Sequence, residues 1–144
     1  MALDMILKEG IEAVWRRHEV LASAIWAAIE SWEKGGELKA NIQDKKLRSA
    51  AVTSLHVQTP KGTHIRKWLQ ANTGLTIGIG LGMATPNDPN GDGYFRLGHM
   101  GHVNAQMIMA LIATLETAMI AVGVPHGNNA INKAASIIAN FSKP

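Results

Sequence analysis

"GYFRLGHMGHVN", residues 93–104, reads as a short strand that turns through glycine into a helix. Tyr94, Phe95 and Leu97 favour an extended, half-buried segment over 94–97. Gly98 and Gly101 end it, and Asn104 is placed to start a helix. Inside the strand stands one arginine, Arg96, between Phe95 and Leu97, with Gly93, Gly98 and Gly101 within five residues. Burying a guanidinium is costly unless an anion meets it. The stretch therefore sets a strand-to-helix unit and raises a chemical question: which anion Arg96 is built to meet.

Downstream, the helix from Asn104 carries Met107, Ile108, Leu111, Leu115, Met119 and Val122 on one stripe and ends at Gly123 and Pro125. A last helix is expected from about 129 to 141. Upstream lies a loop rich in glycine and proline over 80–93, preceded by "LTIGI" (75–79), a second short strand. Before that, Thr63 can cap a short helix whose Ile65, Trp68 and Leu69 share a face, closed by Gly74. "AVTSLHV" (51–57) alternates as a further strand, and "ELKANIQDKKLRSA" (37–50) reads as a polar connection. In the first thirty residues Leu7, Ile11, Val14, His18, Leu21, Ile25, Ala28 and Trp32 form a helical stripe, stopped by Gly35 and Gly36. His18 on that stripe reads as a partly buried core histidine, and Trp15, Trp26 and Trp32 as packing. The stripe is already in register at Leu3 with no cap before it, so the chain is expected to be a fragment of something longer.

The order helix, strand, helix, strand, strand, helix, helix predicts an α+β domain: a small antiparallel or mixed three-stranded sheet packed by helices. One domain is expected over 1–144, with a leading helix at 1–34, the sheet and one helix at 51–98, and two closing helices at 104–141. The apolar helical stripes exceed what three short strands can cover, which predicts self-association or poor solubility of the chain alone.

Composition bounds the function. The chain has 144 residues, is 47% hydrophobic and 17% charged, and carries a net charge of +3. That is globular composition, without the basic stripe a nucleic-acid binder needs. Cysteine is absent, which excludes a disulfide framework and a thiolate site. The start has acidic Asp4 and Glu9 and no small-residue cleavage site, unlike a secretory signal. The longest apolar run, 107–115, is half a membrane span, so no membrane partner is expected and the cytoplasm is the default.

Three clusters could carry chemistry. "DPNGDG" (88–93) matches the first half of a calcium loop, but His99 stands where a bidentate glutamate is needed, and an ordinary turn is the better account. His99 and His102 have metal-ligand spacing but make only half a tetrahedral shell, so no metal site is assigned. Arg96 is the third. By local chemistry it is either a carboxylate clamp or a structural arginine paired with an internal carboxylate such as Asp92 or Glu116, since a bidentate fork suits both.

"GIGLG" (78–82) followed by "YFRLGHMGHVN" resembles the C-terminal signature of class V pyridoxal-phosphate aminotransferases, in particular the alanine/serine–glyoxylate group. The leading "ALDMILKEGIEAVWRRHEVLA", "AVTSLHV", "GLTIGIGLG" and "AVGVPHG" (121–127) follow in the family's order. The resemblance implies the C-terminal small domain of a fold type I enzyme that moves an amino group from alanine or serine to glyoxylate. It implies that Arg96 binds the substrate carboxylate, with Gly80, Leu81 and Gly82 beside it; His99 and Gly101 shape the turn. Pyridoxal phosphate is the implied cofactor of the complete enzyme, and the lysine-bearing large domain or a second subunit the implied partner, in a homo-oligomer. None of the nine lysines stands in the family's cofactor-lysine context. Covalent cofactor binding and a catalytic residue are therefore not expected in this chain. The other reading is a stand-alone, non-catalytic domain that binds a small carboxylate or a protein.

Overall fold

The computed structural model describes residues 2–141. Five α-helices accompany a four-stranded, wholly antiparallel sheet. Helices α1 (Ala2–Glu9) and α2 (Ile11–Glu33) lead, followed by strands β1 (Lys39–Ala40) and β2 (Val52–His56). Then come α3 (Lys61–Thr73), β3 (Gly78–Ile79), β4 (Tyr94–Gly98), α4 (Ala105–Val122) and α5 (Ala130–Ala139). The spatial order β1-β2-β4-β3 puts β4, the strand of Arg96, between β2 and β3.

Alternation along the strands sets the two faces. Thr53, Leu55, Val57, Phe95 and Leu97 are buried toward the helices, while Ser54, His56, Tyr94 and Arg96 lie half-buried on the other face. The period of two in "TSLHV" and "YFRL" is the cause, because neighbouring side chains leave opposite sides of the pleat. Against the inner face, Trp32, Ile25, Ile29, Ile65, Leu69, Ile112 and Leu115 close one core. The buried indole of Trp32 donates to Glu116 Oε2 (2.8 Å), so Glu116 serves the core. Asn104 caps α4 by accepting the Met107 N–H (2.9 Å). By length and composition α4 could cross a membrane, but Ile108, Ile112, Leu115, Ala118 and Met119 pack it into this core.

Two features depart from the expectation. The polar connection over 37–50 contributes a fourth strand, because Lys39 and Ala40 pair with His56 and Leu55. Two residues are too few for a periodicity signal; the pairing is set instead by Glu33, whose Oε1 accepts the Ala40 N–H (2.6 Å). Second, the leading helix is broken. Gly10 has φ +87°, which an L-residue adopts at a cost, and it divides α1 from α2. The stripe continues across the break, but Leu7 is 71% and Ile11 48% exposed; the core begins only at Val14. Met1, where that helix was expected to begin, lies outside the described residues.

Candidate substrate-binding site

The antiparallel registers place Ser54 of β2 and Gly78 of β3 on either side of Arg96. Both are small, which leaves the long side chain room to lie along the sheet. A Cβ on Gly78 would come within 3.2 Å of the Arg96 Cβ. The guanidinium leans toward β3, where Nε donates to the Ile79 carbonyl (2.8 Å). That bond uses one of five donors. Among the described residues the terminal nitrogens have no hydrogen-bond partner, and no carboxylate stands within ion-pair distance.

The two internal carboxylates that the sequence offers as examples of a structural partner are engaged elsewhere. Asp92 accepts the Thr63 hydroxyl (2.5 Å), and Glu116 accepts the Trp32 indole. Of the two local readings, the internal salt bridge is removed. What is left is a guanidinium whose bidentate edge is open, on a face that the helices do not cover.

The loop after β3 frames that edge. Its start is tight: Leu81 N–H donates to Ile79 O (2.9 Å) and Met83 N–H to Gly80 O (3.1 Å). Ile79 O thus receives both Arg96 and Leu81, which ties the guanidinium to residues 79–81. Gly80 is there for space: a Cβ would stand 2.9 Å from Gly91 O and collide with Tyr94. The loop then crosses β4, for the Ser54 hydroxyl donates to Met83 Sδ (3.2 Å) on the β2 side. Leu81, whose N–H shares the Ile79 carbonyl with Arg96 Nε, is 67% exposed.

Asp88 holds the rest of the loop. Its carboxylate accepts Gly93 N–H (2.8 Å), Asp92 N–H (2.9 Å) and the Thr59 hydroxyl (3.0 Å). The Gly93 N–H, with the Asp92 N–H and the Thr59 hydroxyl, holds this carboxyl below its ordinary range, against the opposing effect of burial. Its oxygens complete a turn, the ordinary account of the calcium-like pattern. Among the described residues no cluster of three histidine, cysteine or acidic side chains is placed to hold a metal.

His99 sits at the far end of β4, fully buried, within a network that sequence reasoning missed. Its Nε2 lies 2.9 Å from the Thr53 hydroxyl and its Nδ1 3.1 Å from Ala50 O. Trp26 Nε1 donates to the same hydroxyl (3.0 Å). One proton assignment satisfies every group: Nδ1–H to the carbonyl, and the hydroxyl to Nε2. This needs the neutral ring, and burial does push the imidazole below its usual value, with the Ala50 carbonyl opposing. Beside Arg96, His56 is likewise pushed down by burial, and its ring lies 5.5 Å from that of Tyr94.

No protein-family model matches the chain. Curated relatives do. It is 33% identical over 127 residues to a serine–glyoxylate aminotransferase of Arabidopsis thaliana, across 86% of this chain and 29% of that protein. Among solved structures, pyridoxamine–pyruvate aminotransferase from Mesorhizobium loti superposes with a TM-score of 0.79 at 25% identity, over 95% of this chain and 33% of that one. Ureidoglycine–glyoxylate aminotransferase from Bacillus subtilis, at 21% identity, shares the fold with a TM-score of 0.77 over 95% of this chain and 33% of its own. The chain spans about a third of the length of the proteins it matches. Sequence relatives and structural neighbours agree: this chain corresponds to the C-terminal portion of the class V aminotransferases.

Proposed function

We propose that this chain is the substrate-carboxylate-binding portion of a pyridoxal-phosphate-dependent aminotransferase that moves an amino group from alanine or serine to glyoxylate. The observation that carries the reading is Arg96: half-buried, held at Nε by a backbone carbonyl, and facing no internal carboxylate with its terminal nitrogens. A guanidinium prepared in this way takes a planar carboxylate through two parallel bonds, which an ammonium cannot imitate. Gly80, Leu81 and Gly82 frame the bound acid. Glyoxylate as acceptor rests on the relatives, several of which are glyoxylate aminotransferases by name.

Pyridoxal phosphate supplies the electron sink in such enzymes and is attached through a desolvated lysine. Among the described residues no lysine fits that role. Lys8, Lys34, Lys46, Lys67 and Lys133 are exposed on the surface. Lys45 is paired with Glu30, Lys61 with Glu37, and Lys39 donates to the Glu33 carbonyl. No residue here is assigned a catalytic role, and the chain alone does not transaminate. In this reading residues 1–144 are one small domain. They work in the cytoplasm with a lysine-bearing large domain or second subunit, within a homo-oligomer, and act on neither nucleic acid nor membrane.

The test is reconstitution. Mixed with the cofactor-binding portion of the Arabidopsis relative, the chain should restore glyoxylate-dependent consumption of alanine or serine, and each half alone should show none. Turnover by this chain unaided would overturn the reading. A reconstituted mixture without turnover that still binds small carboxylates would favour the non-catalytic domain.

A further inference from the structure

We propose that Tyr94 and His56, in the row beside Arg96, select an amino donor with a hydroxyl on its side chain, serine over alanine; this rests on the reading of Arg96 as the carboxylate clamp. The outer face of the sheet carries two neighbouring rows of residues. Ser54, Arg96 and Gly78 make up one, and Lys39, His56 and Tyr94 the next. Arg96 and Tyr94 are two residues apart on β4, so their side chains leave the pleat on the same side about 7 Å apart. Strand β3 and the residue after it put no side chain against either of them. A Cβ on Gly78 would press to 3.2 Å from the Arg96 Cβ, and one on Gly80 would collide with Tyr94. A donor gripped at its carboxylate by Arg96 therefore has its own side chain within reach of the Tyr94 row.

Two observations make these residues a recognition pair. Both are half-buried, yet among the described residues neither the Tyr94 hydroxyl nor a ring nitrogen of His56 has a hydrogen-bond partner. A half-buried polar group without a protein partner is left for water or for a ligand. Their neighbours are already engaged: the Ser54 hydroxyl donates to Met83 Sδ (3.2 Å), and Lys39 Nζ to the Glu33 carbonyl (3.0 Å). The second observation is chemical complementarity. The two rings are tilted by 44° with centroids 5.5 Å apart, close enough for one small group to touch both. Burial holds the imidazole below its usual value, with Glu33 opposing and Lys39 adding, so the ring is neutral at pH 7. A neutral imidazole accepts one hydrogen bond and a phenol donates one, and a hydroxyl both donates and accepts. The methyl group of alanine does neither. For the carboxylate of an aspartate side chain the row has no ready counter-charge, because Lys39 is turned to Glu33.

The test titrates the full chain with L-serine, L-alanine and L-aspartate and follows the signals of His56, Tyr94 and Arg96 by NMR. Serine should bind about fivefold more tightly than alanine, the worth of two modest net hydrogen bonds, and aspartate no more tightly than alanine. Tyr94→Phe removes a hydroxyl that no other described residue uses, and His56→Phe keeps an aromatic ring against Tyr94, so the fold survives both. Each should lower the affinity for serine about two- to threefold and leave that for alanine unchanged; together they should abolish the preference. Arg96→Ala should weaken serine and alanine alike, at least about tenfold. Equal binding of serine and alanine by the unaltered chain would overturn the proposal. So would a preference for aspartate, or a serine preference that neither variant touches. In those cases the loss of binding in Arg96→Ala leaves the clamp standing. If neither serine nor alanine binds, or if Arg96→Ala binds both as the unaltered chain does, the clamp itself falls and the selection with it.

Discussion

Removing one oxygen from the core should tell whether the histidine network at the end of β4 holds the fold as its geometry implies. Thr53 serves two buried partners: its hydroxyl accepts from Trp26 Nε1 (3.0 Å) and donates to His99 Nε2 (2.9 Å). Thr53→Val keeps the shape and strands both nitrogens. An unpartnered buried polar group costs about 1–3 kcal/mol. His99 is fully buried and bears that cost in full, whereas Trp26 is only half-buried and recovers part of it from water. The expected loss is about 2–4 kcal/mol, which for a chain of this size lowers Tm by roughly 6–15 °C. Thr53→Ser keeps the hydroxyl and loses one methyl group, worth about 1 kcal/mol. Chemical denaturation followed by circular dichroism separates the two. If valine proves as stable as serine, the hydroxyl bridges nothing and the network is wrong.

Two further outcomes follow from the same chemistry. Burial depresses the imidazoles of His99 and His56 in the folded state, so the unfolded chain binds more protons as pH falls. Their stabilisation is complete above the ordinary value of 6.5 and is lost as pH drops through the folded values. Denaturation curves between neutral and mildly acid pH should show that loss, shallower in His99→Gln; a flat profile would remove the assignment. Separately, borohydride reduction of the chain mixed with pyridoxal phosphate should leave no single lysine stoichiometrically modified, which peptide mapping reads directly. Complete labelling of one lysine would make the chain a cofactor holder in its own right.

Much of this was legible because the chemistry is local. The alternation in 93–98 and 51–57, the Asn104 cap and the Gly74 and Gly123 stops all act within a few residues, and the structure places each where the sequence does. The family signature is local too, which is why "FRLGHMG" pointed to Arg96. What the sequence hid is long in range. Strand β1 exists because Glu33 captures the Ala40 amide, and no window around two residues reveals that. The Arg17–Glu9 pair spans eight residues, which an unbroken helix would hold about 12 Å apart along its axis; the break at Gly10 brings them together. The Thr53–His99 contact joins residues 46 apart. Trp15, expected to pack, is exposed, although its neighbour Val14 is buried and begins the core.

The central claim is that Arg96 grips the carboxylate of both substrates, and turnover of the reconstituted pair tests it most directly. A charge-assisted pair truncated on one side at a desolvated contact loses about 2–5 kcal/mol. Arg96→Ala should therefore lower kcat/KM for the amino donor and for glyoxylate by about 30-fold or more. Arg96→Lys should recover only part of that loss, because a point charge lacks the planar fork. Cofactor retention by the partner should not change. An alanine variant that unfolds, or that keeps its efficiency with glyoxylate, would make Arg96 a structural arginine and contradict the account.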